Sequence, residues 1–148
     1  MESLPYIDEH VMNVAAGRER TWVALLAALR GEFGGDASAR AARLLGCVPA
    51  RREGDWAGEV RAGAALPGFV VDEVRSPSRL ALSGRHRFSR YALVFELEQV
   101  GHGRARVRAQ TWAAFPGLLG SLYRGLVIGS GAHRVVVRRL LRRVARRA

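Results

Sequence analysis

Lysine is absent from this chain, and so is any acidic residue after Glu98. All 24 basic side chains are arginine; 13 of them lie in residues 1–98 with all 13 carboxylates, so that stretch is neutral. The other 11 arginines fall in residues 99–148 and make up the whole net charge of +11. A single cysteine, Cys47, excludes an internal disulfide framework and a cysteine-based zinc site, and its thiol is expected to be buried and inert. No run reaches the roughly 18 uncharged apolar residues of a membrane-spanning helix, because the best stretch, Leu118 to Ile128, contains Arg124. The opening Met1-Glu2-Ser3-Leu4-Pro5 lacks the basic and apolar regions of a secretory leader, so a cytoplasmic protein is expected. What is present is globular: 49% hydrophobic and 25% charged residues over 148 positions. That length predicts one domain, 1–148, able to bury roughly 70% of its unfolded surface. Arginine without lysine, beside abundant Ala, Gly and Val, points to a GC-rich genome and concerns codons more than function.

The chain begins with a strand at 6–14, where His10, Met12 and Val14 alternate. A helix follows over 17–29, with Trp22, Leu25, Leu26 and Leu29 on one face and Gly31 as its stop. A second helix is predicted at 36–46, with Asp36 as N-cap and Gly46 just past its end. From Trp56 to Phe115 the pattern is β, with strands at 56–62, 68–75, 78–84, 86–99 and 103–115 and turns at Leu66-Pro67-Gly68, Ser76-Pro77 and Gly101-His102-Gly103. Pro116 opens a long final helical region, interrupted near Gly129-Ser130-Gly131. Its end, from Val135 to Val144, sets Val136, Val137, Leu140, Leu141 and Val144 against an arginine face. An antiparallel sheet needs one face covered, and the last helix is the element long enough to do it. The expected fold is α+β: a curved antiparallel sheet gripping a long C-terminal helix, in the order β-α-α-β5/6-α.

This order, Trp22 in the first helix, and two stretches carry a family resemblance. The stretches are Gly84-Arg-His-Arg-Phe-Ser-Arg-Tyr-Ala-Leu-Val-Phe-Glu-Leu97 and Phe115-Pro-Gly-Leu-Leu-Gly-Ser-Leu-Tyr-Arg-Gly-Leu-Val-Ile-Gly129. Together they resemble the SRPBCC superfamily, the START-like, Bet v 1-like helix-grip group, in the form of a small bacterial member. The resemblance covers nearly the whole chain. It implies a deep cavity between sheet and long helix that takes an apolar small molecule or lipid. It implies no particular chemistry, since members include lipid carriers and polyketide cyclases or aromatases, and a shared fold is weak evidence for function.

Alternation places the candidate cavity. Along 85–97 the odd positions are Arg85, Arg87, Ser89, Tyr91, Leu93, Phe95 and Leu97, and four large apolar residues in succession turn that side toward the helix. A slip or bulge near Ser89 would put His86 and Phe88 inside instead. In the next strand Arg104, Arg106 and Arg108 face water, so Ala105, Val107, Ala109, Thr111 and Ala113 face inward, and a row of alanines leaves volume beneath the helix. Gly58 and Ala62 would add to it; alternatively Trp56, Phe69, Leu122 and Tyr123 fill the space as ordinary core. The expected lining is Trp56, Leu82, Arg87, Tyr91, Leu93, Phe95, Thr111, Ala113, Tyr123 and Val127, with Arg87, Ser89, Tyr91, Thr111 and Tyr123 as polar fittings. An inward arginine is costly without an anion, which a ligand carboxylate would supply; at the cavity mouth it would stay in water.

Catalytic signals are weak. His10, His86, His102 and His133 are scattered, with no metal-ligand spacing, so no metal or other cofactor is expected. No serine sits in a Gly-x-Ser-x-Gly elbow. Gly129-Ser130-Gly131 lacks the rest of a phosphate loop and reads as a helix break, and His133 after it reads as packing or capping. Asp8-Glu9 and Asp72-Glu73 are neighbours that point to opposite faces on a strand. His86 between Arg85 and Arg87 would serve an aldol-type cyclase as the alternative to pure binding. Arg138, Arg139, Arg142, Arg143, Arg146 and Arg147 form the helical arginine face, with Arg138, Arg142 and Arg146 as its candidate contacts to an anionic surface. It reads as a solvated face, an anionic-membrane contact or a nucleic-acid contact; the missing interleaved aromatics disfavour nucleic acid.

Overall fold

A computed structural model describes residues 4–56, 59–129 and 131–148, apart from the side chains of Val127 and Gly129. The elements are β1 (Tyr6–Val14), α1 (Arg18–Phe33), α2 (Asp36–Leu45), β2 (Ala65–Leu66), β3 (Phe69–Arg75), β4 (Arg79–His86), β5 (Ser89–Gly101), β6 (Arg104–Ala114), α3 (Gly117–Arg124), a π-helical segment (Gly125–Gly129) and α4 (Ala132–Arg147). The strands form one antiparallel sheet in the order β1-β6-β5-β4-β3-β2, so the first strand closes onto the last. The expected α+β architecture is what the chain adopts.

Several local expectations are corrected. Trp56 and residues 59–62 form no strand: the Trp56 indole N–H donates to the carbonyls of Glu53 (3.1 Å) and Ala65 (3.0 Å) instead. Gly54 and Gly63, at φ 89° and 92°, turn the backbone on either side of it, so the extended pairing strand is only Ala65–Leu66. Asp36 is the first residue of α2, where its carboxylate faces the positive end of the helix dipole, and Gly35 takes the N-cap position. Gly31 does not stop α1, which runs to Phe33 and ends at Gly34. The final helical region breaks at Gly131, in the left-handed region at φ 79°, close to where the glycines place it; Ser130 lies outside the described residues, as does Gly58.

The inner face of the sheet meets two helices. α1 contributes Leu25 and Leu29 and α4 contributes Leu140, Leu141 and Val144, all packed with Leu80, Leu82, Phe95, Val107 and Ala109 of the sheet. Phe95 pairs across the ladder with Ala109, and both are fully buried. Large residues fill that half of the interface as solid core. The outer face carries a ladder of charges instead: Arg79 to Glu96 at 2.8 Å, Arg75 to Glu73 at 2.8 Å and Arg108 to Glu9 at 3.3 Å.

Candidate functional site

Beyond the solid half, toward the start of α4, the sheet and helices separate around a cavity of about 540 Å³. Its walls come from α2 (Ala41, Ala42, Leu45), the sheet (Phe69, Tyr91, Leu93, Thr111, Ala113), the α3 and π region (Tyr123, Ile128) and α4 (His133, Val136, Val137). The residues that leave it open are small: Ala113 and Thr111 sit where larger side chains would reach α4.

Its polar groups are few, and most are already engaged. Tyr91 donates from its hydroxyl to the Gly68 carbonyl at 2.6 Å. Gly84 makes this possible, because a Cβ there would lie 2.8 Å from the Tyr91 hydroxyl and collide with the Gly68 carbonyl. The Phe88 backbone N–H donates to His86 Nδ1 at 3.0 Å, so the ring proton is on Nε2, which donates to Ser89 Oγ at 3.0 Å. In that tautomer His86 cannot take a proton from Ser89, so the pair is no nucleophile–base dyad. Burial pushes the His86 pKa down and those of Cys47, Tyr91 and Tyr123 up, so all four are held uncharged near neutrality. Thr111 Oγ1 is buried with no hydrogen-bond partner among the described residues. His133 Nε2 lies 3.2 Å from Asp8 Oδ1, and His10 Nε2 lies 3.2 Å from Asp8 Oδ2, tying the start of α4 to β1. No arginine and no carboxylate lines the cavity among the described residues.

Of the residues expected from sequence, Tyr91, Leu93, Thr111, Ala113 and Tyr123 stand on the cavity wall. Leu82 and Phe95 do not: both are fully buried in the solid half of the core. Trp56 lies apart, lining a separate depression with Trp22 and Leu26. Arg87 is exposed at a two-residue turn, its side chain packed against Gly46. The Val127 side chain lies outside the described residues. The turn is what moved His86 inward. His86 pairs with Ser89, so β4 and β5 meet through Arg87-Phe88. Even positions of β4 (Leu80, Leu82, His86) and odd positions of β5 therefore share the inner face. Alternation read straight through 85–97 puts His86 outside for that reason, whereas the alternative of a slip near Ser89 puts it inside, where it lies. His133 and the α2 wall were also missed; Ala41, Ala42 and Leu45 read only as part of a second helix. Arg138, Arg142 and Arg146 are exposed along α4, with no carboxylate partner among the described residues, whereas Arg139 and Arg143 reach Glu32 at 3.6 and 3.1 Å.

Among solved structures, the chain is similar in fold to the Mll3558 protein of Rhizobium loti, with 17% identity, 99% of this chain and 100% of that one covered, and a TM-score of 0.57. It is similar also to the norcoclaurine synthase of Thalictrum flavum, solved in complex with dopamine and hydroxybenzaldehyde. There the identity is 12%, coverage 94% and 86%, and the TM-score 0.55. CalU16 of Micromonospora echinospora matches at 14% identity over 94% and 81% of the two chains, with a TM-score of 0.51. The fold is the helix grip. No protein-family model matches the sequence, and no curated protein does. At these identities the helix-grip likeness carries architecture and leaves chemistry to the site itself. No helix of the described residues is long and apolar enough to cross a membrane.

Proposed function

We propose that this helix-grip domain binds an uncharged, largely apolar small molecule in the cavity beside α4, without a reaction of its own. The observation that carries this is a largely apolar space of about 540 Å³ whose wall includes Thr111, its buried hydroxyl without a partner among the described residues. Buried hydroxyls are costly without a partner, so a ligand atom that accepts or donates there would gain the difference. Exclusion of charge follows from the lining. A carboxylate would lie against phenols, a thiol and two imidazoles, with no arginine on the wall among the described residues to offset its desolvation. With Arg87 in solvent, the anion-binding version of the cavity loses its support. The ligands named for the norcoclaurine synthase structure, dopamine and hydroxybenzaldehyde, are small aromatic molecules, and similarly small neutral aromatics or lipid-like molecules are the class in view here.

The test is a titration with a neutral apolar fluorophore and with its carboxylate analogue. Saturable binding of the neutral probe, at least tenfold tighter than that of the anion, supports the reading. Equal or tighter binding of the anion contradicts it.

A cyclase-like reading is favoured by one observation. His133, on the cavity wall, is held through Nε2 by Asp8, the arrangement that leaves Nδ1 as a candidate base toward a bound carbonyl compound. It expects His133→Gln to abolish turnover of a bound substrate while leaving its affinity within a few-fold; unchanged turnover removes it.

A further inference from the structure

We propose that α3 and the π segment, flanked by the arginine row of α4, form a docking surface for an anionic lipid bilayer. The inference stands whether or not the cavity carries a ligand.

Two observations meet here. The first is an outward leucine face on a short helix. Leu118, Leu119, Leu122 and Leu126 are 91%, 67%, 65% and 66% exposed, at spacings that put them on one side. The inward side of the same segment is narrow. Gly120 is buried, so close to the backbone of Phe115 and Phe88 that a Cβ there would lie 2.7 Å from the Phe115 carbonyl carbon. Tyr123 and Ile128 face the cavity. A cluster of exposed leucines is uncommon on a monomer's surface and marks a contact.

The second observation is charge without compensation. Arg124 lies between Leu122 and Leu126 in the same helical run, and with Arg134 it borders a surface depression that Gly125 and Ile128 also line. From Arg134 the row continues at every fourth residue through Arg138 and Arg142, all exposed, with Arg146 beyond. None of these faces a carboxylate among the described residues, while Arg106 and Arg108 on the sheet are answered by Glu98 and Glu9. Leucines among unpaired arginines fit an apolar interior beneath an anionic headgroup layer. A second copy of the chain would bring the same +11 against itself. A nucleic acid would leave the leucines without a partner, and the segment turns its one aromatic, Tyr123, inward. The bilayer is also the occupant that gives the two-sided segment a use. The wall of the cavity would rest on the phase from which an apolar molecule can enter without crossing water.

The experiment uses the full chain with vesicles of phosphatidylcholine alone and of phosphatidylcholine with one-third phosphatidylglycerol, read by flotation. Binding is expected to the anionic vesicles, little to the neutral ones, and less as salt rises. Replacing Arg134, Arg138 and Arg142 with Gln should weaken it by about fivefold per charge. The double variant Leu118→Ser, Leu122→Ser should weaken it at least tenfold with an unchanged melting temperature, since both side chains already face water. A cavity-filling variant, Ala113→Phe, should dock as the unaltered protein does, which separates this proposal from the ligand reading. No binding to anionic vesicles at low salt overturns the proposal. So does a leucine variant that binds as before, a leucine-dependent dimer in solution, or tighter binding to DNA than to the anionic vesicles.

Discussion

His86 shows how one residue's role turns on a single turn. Its Nδ1 accepts the Phe88 N–H and its Nε2–H rests on Ser89, so protonating Nδ1 breaks a hydrogen bond inside a partly buried site. The folded chain therefore binds this proton less readily than the unfolded one, whose histidine keeps its ordinary value near 6.5. Below that value the unfolded state holds more protons, so this stabilisation is complete above about pH 6.5 and is lost as the pH falls. Thermal melts at pH 7.5 and 5 should show His86→Gln losing less stability on acidification than the unaltered protein. An identical loss in both would mean the imidazole is free in solution. Gly84 is a second single-atom constraint. Gly84→Ala forces a methyl group onto the Gly68 carbonyl and the Tyr91 ring, an overpacking that should cost about 1–3 kcal/mol by denaturant melt and weaken binding of the neutral probe.

Among the elements, α1 and α4 are the pair that makes the grip. Their apolar stripes supply most of the holding, and Glu32 near the end of α1 adds a clamp to Arg139 and Arg143. These are pairs at the edge of the core, with Arg139 largely in solvent, so Glu32→Gln should cost only about 0.2–1 kcal/mol, and less at high salt. A loss well beyond that range would mean that the carboxylate holds α1 in place, not merely trims its end. Much of this architecture was legible in the sequence, because long periodic segments carry their own signal: β1, α2 and β6 lie close to where alternation and helical spacing put them. What was not legible was local geometry that tertiary contacts decide. Trp56, Val60 and Ala62 alternate as a strand would, yet the buried indole is held by two carbonyls and none of these three residues is in a strand. The β4–β5 turn contains Arg87 and Phe88, neither a turn-forming residue, so no punctuation announced it: the odd face of β5 lies inward as alternation has it, but His86 on β4 does too. Nothing in Gly125–Gly129 distinguishes a π turn from an α-helical one before its packing is known.

For the whole molecule, the sheet–helix interface is two things at once. One half is closed by Phe95, Leu140 and Leu141; the other is left open above Thr111 and Ala113. The alanine row is packed over at Ala109 and open at Ala113, and the side chains expected to fill it do not: Leu122 faces solvent, Trp56 lies apart, and Phe69 and Tyr123 line the open space. Charge divides along similar lines, with paired charges on the outer sheet and, on α4, Arg134, Arg138 and Arg142 without a carboxylate partner among the described residues. The central claim is that the open half is a binding site for an uncharged apolar molecule. It is tested most directly by native mass spectrometry of the full chain, as isolated and after incubation with a neutral apolar compound, beside Ala113→Phe, which fills the cavity. The account predicts one bound small molecule per chain in the unaltered protein and none in a folded Ala113→Phe variant. A chain that carries nothing in either form, or one that keeps its adduct when the cavity is filled, would contradict it.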